Sequence, residues 1–252
     1  MTKTVIDNRK IEKMLILPKT DFKQQLDKLK FKIPNYCCNL PDNLNPKGAC
    51  MGIIYKKVDT GVIFEISGKI FATPTSLGYI TEDNIHLIPE KIYKYFQINV
   101  DSDYLFNEAE VYRVDVVIDA IFDDELNYYI SEIREIARGK SDKYEITQYG
   151  KLKYIHGLTL IPKTQRKIRF IVYNKGIDLR KARNKEYRKI FDCEFLELTN
   201  KMLRFEYQIG DFKNMRKEFG IPEYVYPTIS SILTCKRNVV ADFFDQIISL
   251  KG

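Results

Sequence analysis

Short apolar runs alternate along this chain with polar stretches rich in Asn, Asp, Gly and Pro. Apolar residues at every second position read as half-buried strands, and apolar residues three and four apart read as one face of a helix. Residues 12–18 therefore predict a first strand, and residues 19–31, with Asp21 as N-cap, a short helix. Residues 33–50 hold Pro34, Pro41, Pro46 and Gly48 and predict a loop. The runs at 51–57 and 61–67 flank Asp59-Thr60-Gly61 and predict a hairpin. Leu87 to Asn99 predicts a helix and Val111 to Ala120 a strand. Between Asp123 and Ala137, apolar side chains at 126, 129, 130, 133, 136 and 137 fit an amphipathic helix that Gly139 ends. Residues 143–149, 152–160 and 167–174 predict three strands, 184–200 a charged helix, 201–209 a core strand, and 211–219 and 227–249 two closing helices.

Strands on both sides of a helix, joined by hairpins, predict an α+β fold: a mainly antiparallel central sheet with helices packed on it, not a doubly wound sheet. A chain of 252 residues buries a sizeable core. Residues 1–225 are expected to form the working domain, and 226–252 a helical tail packed on it. Neither glycine-rich nucleotide motif occurs, so nucleotide hydrolysis and dinucleotide binding have no support. No apolar run approaches the roughly 18 residues of a membrane span. The five cysteines are scattered and odd in number, and no targeting pattern is visible, so reduced thiols and a cytoplasmic setting are expected.

Charge sharpens this picture. The chain carries a net +7, but the window from Lys163 to Lys189 alone holds eleven Lys/Arg against Asp178 and Glu186. The rest is slightly acidic. A concentrated basic segment points to an anionic partner, with nucleic acid the first choice and a solvated lysine-rich face the plain alternative.

Three apolar runs carry ionisable groups. Period two puts Arg113, Asp115, Val117 and Asp119 on one strand face, with Val114, Val116 and Ile118 on the other. Asp115 and Asp119 are about 13 Å apart along a strand, too far to share one ion. Asp115 therefore needs partners on neighbouring strands, and Glu206 and Glu65 are the candidates. Acidic oxygens with few histidines suit Mg²⁺ or Mn²⁺, which would polarise a phosphate. The competing reading is ion pairing, Arg113 with Asp115 and Arg204 with Glu206. Tyr173 closes a basic strand two residues before Lys175. A nearby lysine or metal favours phenolate, which can attack phosphorus. Tyr173 is also one of seventeen tyrosines, with Tyr187 and Tyr207 nearby in sequence. Of the two histidines, His156 has a small claim as a third ligand.

In order along the chain stand Phe64-Glu65-Ile66-Ser67, Arg113-Val114-Asp115, Tyr173-Asn174-Lys175 with Asp178-Leu179, Leu203-Arg204-Phe205-Glu206, and Phe219-Gly220-Ile221-Pro222. Over about residues 50–225 this series resembles the gene II/gene X replication initiators of filamentous phages, and more distantly the plasmid rolling-circle initiators of the Rep_trans type. The resemblance implies a metal-dependent endonuclease and strand transferase that nicks a replication origin through a covalent phosphotyrosine. It leaves a 3′-hydroxyl for the host helicase and polymerase and later rejoins the strand. Carried over by motif, Tyr173 is the nucleophile and Lys175 stabilises phosphoryl charge, while Asp115, Glu206 and Glu65 hold Mg²⁺ or Mn²⁺. Arg166, Lys167, Arg169, Arg180, Lys181, Arg183 and Arg204 are expected to bind origin DNA, supercoiled or single-stranded. The setting implied is the cytoplasm of a bacterial host. The alternative is a non-catalytic origin- or single-strand-binding regulator with the same fold. Asp178 stands where the family carries Glu, and the family's C-terminal extension is missing.

Overall fold

The first described strand shows how this chain makes its sheet. Leu29, Phe31 and Ile33 are buried and alternate with Lys28, Lys30 and Lys32, so β1 (Gln25–Pro34) has one apolar and one basic face. The helix expected to run to residue 31 is therefore a strand over its described part. Leu26, Leu29 and Ile33 also fit a helical spacing, but Phe31 would then point away from them. Only a strand buries Leu29 and Phe31 together. The computed structural model describes residues 24–123, 125–151 and 154–248. The strand expected at 12–18 and the start of that helix lie outside the described residues.

After β1 come β2 (Cys38–Asn39), β3 (Lys47–Cys50), β4 (Ile53–Val58) and β5 (Gly61–Ser67), then helix α1 (Ile88–Phe96), β6 (Asn99–Val100) and α2 (Ser102–Asn107). Next are β7 (Glu110–Ile121), α3 (Leu126–Arg138), β8 (Tyr144–Lys151), β9 (Tyr154–Pro162) and β10 (Ile168–Asn174). Three short helices follow, α4 (Lys175–Leu179), α5 (Lys185–Arg188) and α6 (Cys193–Asn200), then β11 (Met202–Ile209), α7 (Phe212–Phe219), α8 (Ile229–Leu233) and α9 (Val239–Ile248). Nine strands form one sheet in the order β3-β4-β5-β1-β7-β11-β10-β9-β8, antiparallel at every step. The α+β architecture with a mainly antiparallel sheet is thus the observed one.

Three segments depart from expectation, each for a local reason. The stretch 33–50 is not all loop, because β3 pairs with β4. Gly48 permits that pairing; a Cβ there would lie 2.3 Å from the Tyr55 ring. The helix expected at 184–200 is broken between α5 and α6, where the Asp192 carboxylate accepts the Phe195 N–H at 2.7 Å and starts a new helix. The helix expected at 227–249 is likewise two: Thr228 and Ser231 form a capping box for α8, and the Asn238 side chain accepts the Ala241 N–H at 3.0 Å at the head of α9. The hairpin at Asp59-Thr60-Gly61 forms as expected. Gly61 has φ +151°, and a Cβ on it would sit 2.1 Å from the Ile33 carbonyl oxygen.

One sheet face is the core. Val114, Val116, Ile118, Leu158, Leu160, Phe170 and Phe205 are buried there beneath α3 and α9, and Phe31 and Phe64 continue the same core. Helix α9 is held by aromatics: Phe243 lies 5.3 Å from Phe170 and 4.7 Å from Tyr207, and Phe244 5.0 Å from Phe205. The other face is polar. Truncating a buried phenylalanine leaves a cavity as well as losing its transfer energy. Phe244→Ala is expected to lower unfolding free energy by about 3–5 kcal/mol, read as a reduced urea midpoint at unchanged slope.

Candidate functional site

Strand register determines which charged groups meet on the polar face. Lys28 of β1 stands opposite Asp115 of β7, and Asp115 opposite Gln208 of β11. Arg204 stands opposite Asp119 on one side and Tyr173 of β10 on the other. Lys30 stands opposite Glu65 of β5. The alternation read from sequence therefore holds: Arg113, Asp115 and Asp119 share the face with Glu65, Glu206 and Tyr173, while Val114, Val116 and Ile118 enter the core.

These groups are tightly partnered. The Tyr173 phenol donates to Glu206 Oε2 at 3.0 Å, and the Gln208 amide donates to Glu206 Oε1 at 2.5 Å. Arg113 grips Asp115 with two bonds of 2.7 Å. Lys28 Nζ bridges Glu65 at 3.3 Å and Asp115 at 3.9 Å. Arg204, nearly without exposure, donates to Asp119 at 2.7 and 2.6 Å and to Asp27 at 3.1 Å, and the Tyr79 hydroxyl donates to Asp119 as well. Of the two ion pairs weighed from sequence, Arg113 with Asp115 exists. Arg204 pairs with Asp119 across the strands rather than with Glu206 on its own.

The polar face opens into a cleft of about 520 Å³. Its walls include Glu65, Glu206, Tyr173, Lys175, Lys181 and Arg183. Arg204 and His156 also line it, whereas Arg166, Lys167, Arg169 and Arg180 do not. Arg166 is solvated and 3.8 Å from Glu145. Asp115 is wholly buried and off the cleft wall. Arg204 touches the cleft with its donors committed to carboxylates, so it shapes the site more than it offers a free cation. Sequence reasoning missed Lys28, Asp27, Tyr79 and Lys69, and weighed Asp119 only to set it aside. The Lys28-Lys30-Lys32 alternation was the available signal for the first of these.

Burial and the Glu206 carboxylate push the Tyr173 phenol well above its usual range. The neighbouring lysine therefore does not produce a phenolate; the phenol stays neutral and hydrogen-bonded to Glu206. Burial, then the Arg204 guanidinium, lower the Lys175 ammonium to about 8. Burial pushes Asp115 up to about 7 against the pull of Arg113. Asp178 goes the other way: against the cost of burial, Lys175, Lys181 and Arg183 hold it down to about 2.

The acids of the polar face stand apart from one another. Among the described residues no three His, Cys, Asp or Glu side chains gather around one point. Both Asp115 oxygens face the Arg113 fork, and a lysine stands between Asp115 and Glu65. As placed, Asp115, Glu206 and Glu65 do not form a donor set for Mg²⁺ or Mn²⁺.

Comparison with known proteins adds little. No protein-family model matches the chain, and no curated protein does. Among solved structures, the chain is similar to the rolling circle replication initiator protein from Geobacillus stearothermophilus, with 12% sequence identity and a TM-score of 0.40, over 90% of this chain and 96% of that one. Among the described residues no helix is long and apolar enough to cross a membrane.

Asp178 supplies a stability test. Its carboxyl is lowered from 3.8 to about 2 in the folded chain, so its contribution is present above about pH 4 and is lost as pH falls through about 2. Asp178→Asn is expected to cost roughly 2 kcal/mol at pH 7. The gap between variant and wild type, measured by urea unfolding across pH, should close toward pH 2.

Proposed function

We propose that this chain is a rolling-circle DNA replication initiator that nicks one origin strand through a covalent phosphotyrosine. The observation that carries this reading is the 3.0 Å hydrogen bond from Tyr173 to Glu206 on the wall of a cleft that also presents Lys175, Lys181 and Arg183. A nucleophile within reach of a base, beside cations that match a phosphate, is the arrangement phosphoryl transfer requires. The ordered motifs from Phe64 to Pro222 support the same reading.

In this reaction Glu206 accepts the phenol proton as Tyr173 Oη attacks phosphorus. The Oη–P bond forms and the P–O3′ bond breaks. The strand stays attached through its 5′-phosphate, and its 3′-end is free for the host helicase and polymerase. Attack by a 3′-hydroxyl on the phosphotyrosine reverses the step and rejoins the strand. Lys181 and Arg183 stabilise charge on the phosphoryl oxygens with Lys175 beside them, and the lysines and arginines of 163–189 outside the cleft contact backbone phosphates of the origin. Lys28 and Arg113 would have to release Glu65 and Asp115 before Mg²⁺ or Mn²⁺ could be held there, so no step here runs through a metal. A non-catalytic origin- or single-strand-binding regulator is the second reading. It is favoured by a phenol held protonated and an acid fully ion-paired.

The nicking assay separates the two. Protein and supercoiled plasmid carrying the replicon's own intergenic region are incubated with Mg²⁺, Mn²⁺ or EDTA and run on a denaturing gel. Wild type should nick and form a DNA-linked protein band. Tyr173→Phe should lose both and keep DNA binding that weakens steeply with salt. Glu206→Gln should slow nicking by about 10²–10⁴-fold with binding retained. A Tyr173→Phe protein that still forms the adduct overturns the nucleophile. Salt-sensitive binding with no nick under any condition leaves the regulator.

A further inference from the structure

Lys175 is unusual among the cations of the cleft. Its side chain is only 3% exposed, and its ion pair with Asp178 is long at 3.8 Å. Asp178 is already served by Lys181 at 3.0 Å and Arg183 at 2.8 Å. Lys175 opens α4 directly after the strand that ends in Tyr173-Asn174, and the Asn174 side chain caps that helix by accepting the Ile177 N–H at 3.0 Å. The chain thus turns sharply at the nucleophile and brings Lys175 Nζ to 5.8 Å from the Tyr173 ring centroid. Close packing fixes this turn: a Cβ on Gly176 would lie 2.5 Å from the Asn200 side chain and 2.9 Å from the α6 backbone at Thr199 and Asn200.

Attack by Tyr173 expels O3′ as an alkoxide, which is a poor leaving group without a proton. Building on the nicking reading above, we propose that Lys175 is the general acid that protonates the departing 3′-oxygen. The phenol proton passes to Glu206, the Oη–P bond forms, the P–O3′ bond breaks, and the ammonium proton moves to O3′, leaving a neutral amine. In rejoining, that amine takes the proton from the attacking 3′-hydroxyl, and Glu206 returns its own to Tyr173.

The other cations are unsuited to this role. Arginine does not give up its proton, and Arg204 is in any case tied to Asp119 and Asp27. Lys181 is solvated and hydrogen-bonded to Asp178. Burial lowers the Lys69 ammonium too, but its Nζ donates to Asn184 at 2.8 Å and lies over the Tyr187 ring, whereas that of Lys175 lies over the Tyr173 ring. Lys28 lies between two carboxylates that strengthen its hold on the proton. Lys175 is faced by Arg204 from β11, Asp27 from β1, Asp119 from β7, Asp178 from α4 and the Tyr173 ring from β10. Burial and Arg204 outweigh the carboxylates and bring the ammonium to about 8, where donation and recovery of a proton are both accessible.

The test uses the oligonucleotide that spans the mapped nick, made with either oxygen or sulfur at the bridging 3′ position. A thiolate leaves without protonation. Wild-type single-turnover nicking of the oxygen substrate should fall as pH rises above about 8, the value of Lys175 without bound phosphate, and the sulfur substrate should lack that fall. Lys175→Met should lose about 10²–10⁴-fold on oxygen and recover to within a few-fold of wild type on sulfur, while Tyr173→Phe stays inactive on both. Lys175→Met keeps the aliphatic stem and deletes a penalised charge, and the wild-type comparison needs no variant. If wild type nicks but Lys175→Met is equally slow on both substrates, or the two wild-type pH profiles coincide, the general-acid role is overturned and nicking stands. If wild type cleaves neither substrate, both readings fall.

Discussion

Arg204 holds the polar face together. Its guanidinium is buried, and its donors are shared between Asp119 on β7 and Asp27 on β1, with the Tyr79 hydroxyl completing the cluster. A buried charge that loses its partner costs several kcal/mol, so this network tolerates no slip of β11 against β7. The strand that carries Arg204 also carries Glu206 two residues on, and both stand beside β10. Fixing Arg204 therefore fixes the carboxylate against the Tyr173 phenol. The same guanidinium, facing Lys175, makes a second positive charge in that place less favourable.

The sheet thereby separates two tasks. Its apolar face, closed by α3 and the aromatic side chains of α9, supplies cohesion. Its polar face can then carry charges that weaken a core. The compensation is local, since each of these buried acids is matched by a nearby cation: Asp115 by Arg113 on its own strand and Lys28 on β1, Asp119 by Arg204 on β11, and Asp178 by Lys175 of its own helix with Lys181 and Arg183 just after it. Glu206 is the exception. It is satisfied by a phenol and an amide instead of a cation.

Much of this was legible in the chain and some was not, for definite reasons. Period-two alternation in β7 identified the face of Asp115, because a strand's side chains must alternate, and pointed to Glu206 only as a partner from a neighbouring strand. It could not say which strands are neighbours, since β1 inserts between β5 and β7 from far away in sequence. The bridge of Lys28 between Glu65 and Asp115, and the choice of Asp119 by Arg204, follow from that insertion and from register. The basic window was visible as a count, yet only part of it reaches the cleft: Lys181 and Arg183 turn in with α4, whereas Arg166 and Lys167 remain on the turn before β10. The helix breaks at Asp192 and Asn238 were carried by side-chain caps, which a periodicity count passes over.

The two groups best placed for chemistry are displaced in opposite directions by one environment. Burial raises the Tyr173 phenol and lowers the Lys175 ammonium. Desolvation penalises whichever form is charged, phenolate in one case and ammonium in the other. The difference between them is the neighbour: Glu206 adds to the phenol's reluctance to ionise, and Arg204 adds to the ammonium's readiness to lose its proton. In the proposed reaction such a site keeps Tyr173 neutral until a phosphate arrives. The negative charge of that phosphate would favour the ammonium of Lys175, and proton transfer to Glu206 would free the phenol oxygen at the moment of attack. Breaking and remaking a strand at the same tyrosine needs such balance, because a group that gives its proton irreversibly can open a phosphodiester and cannot close it.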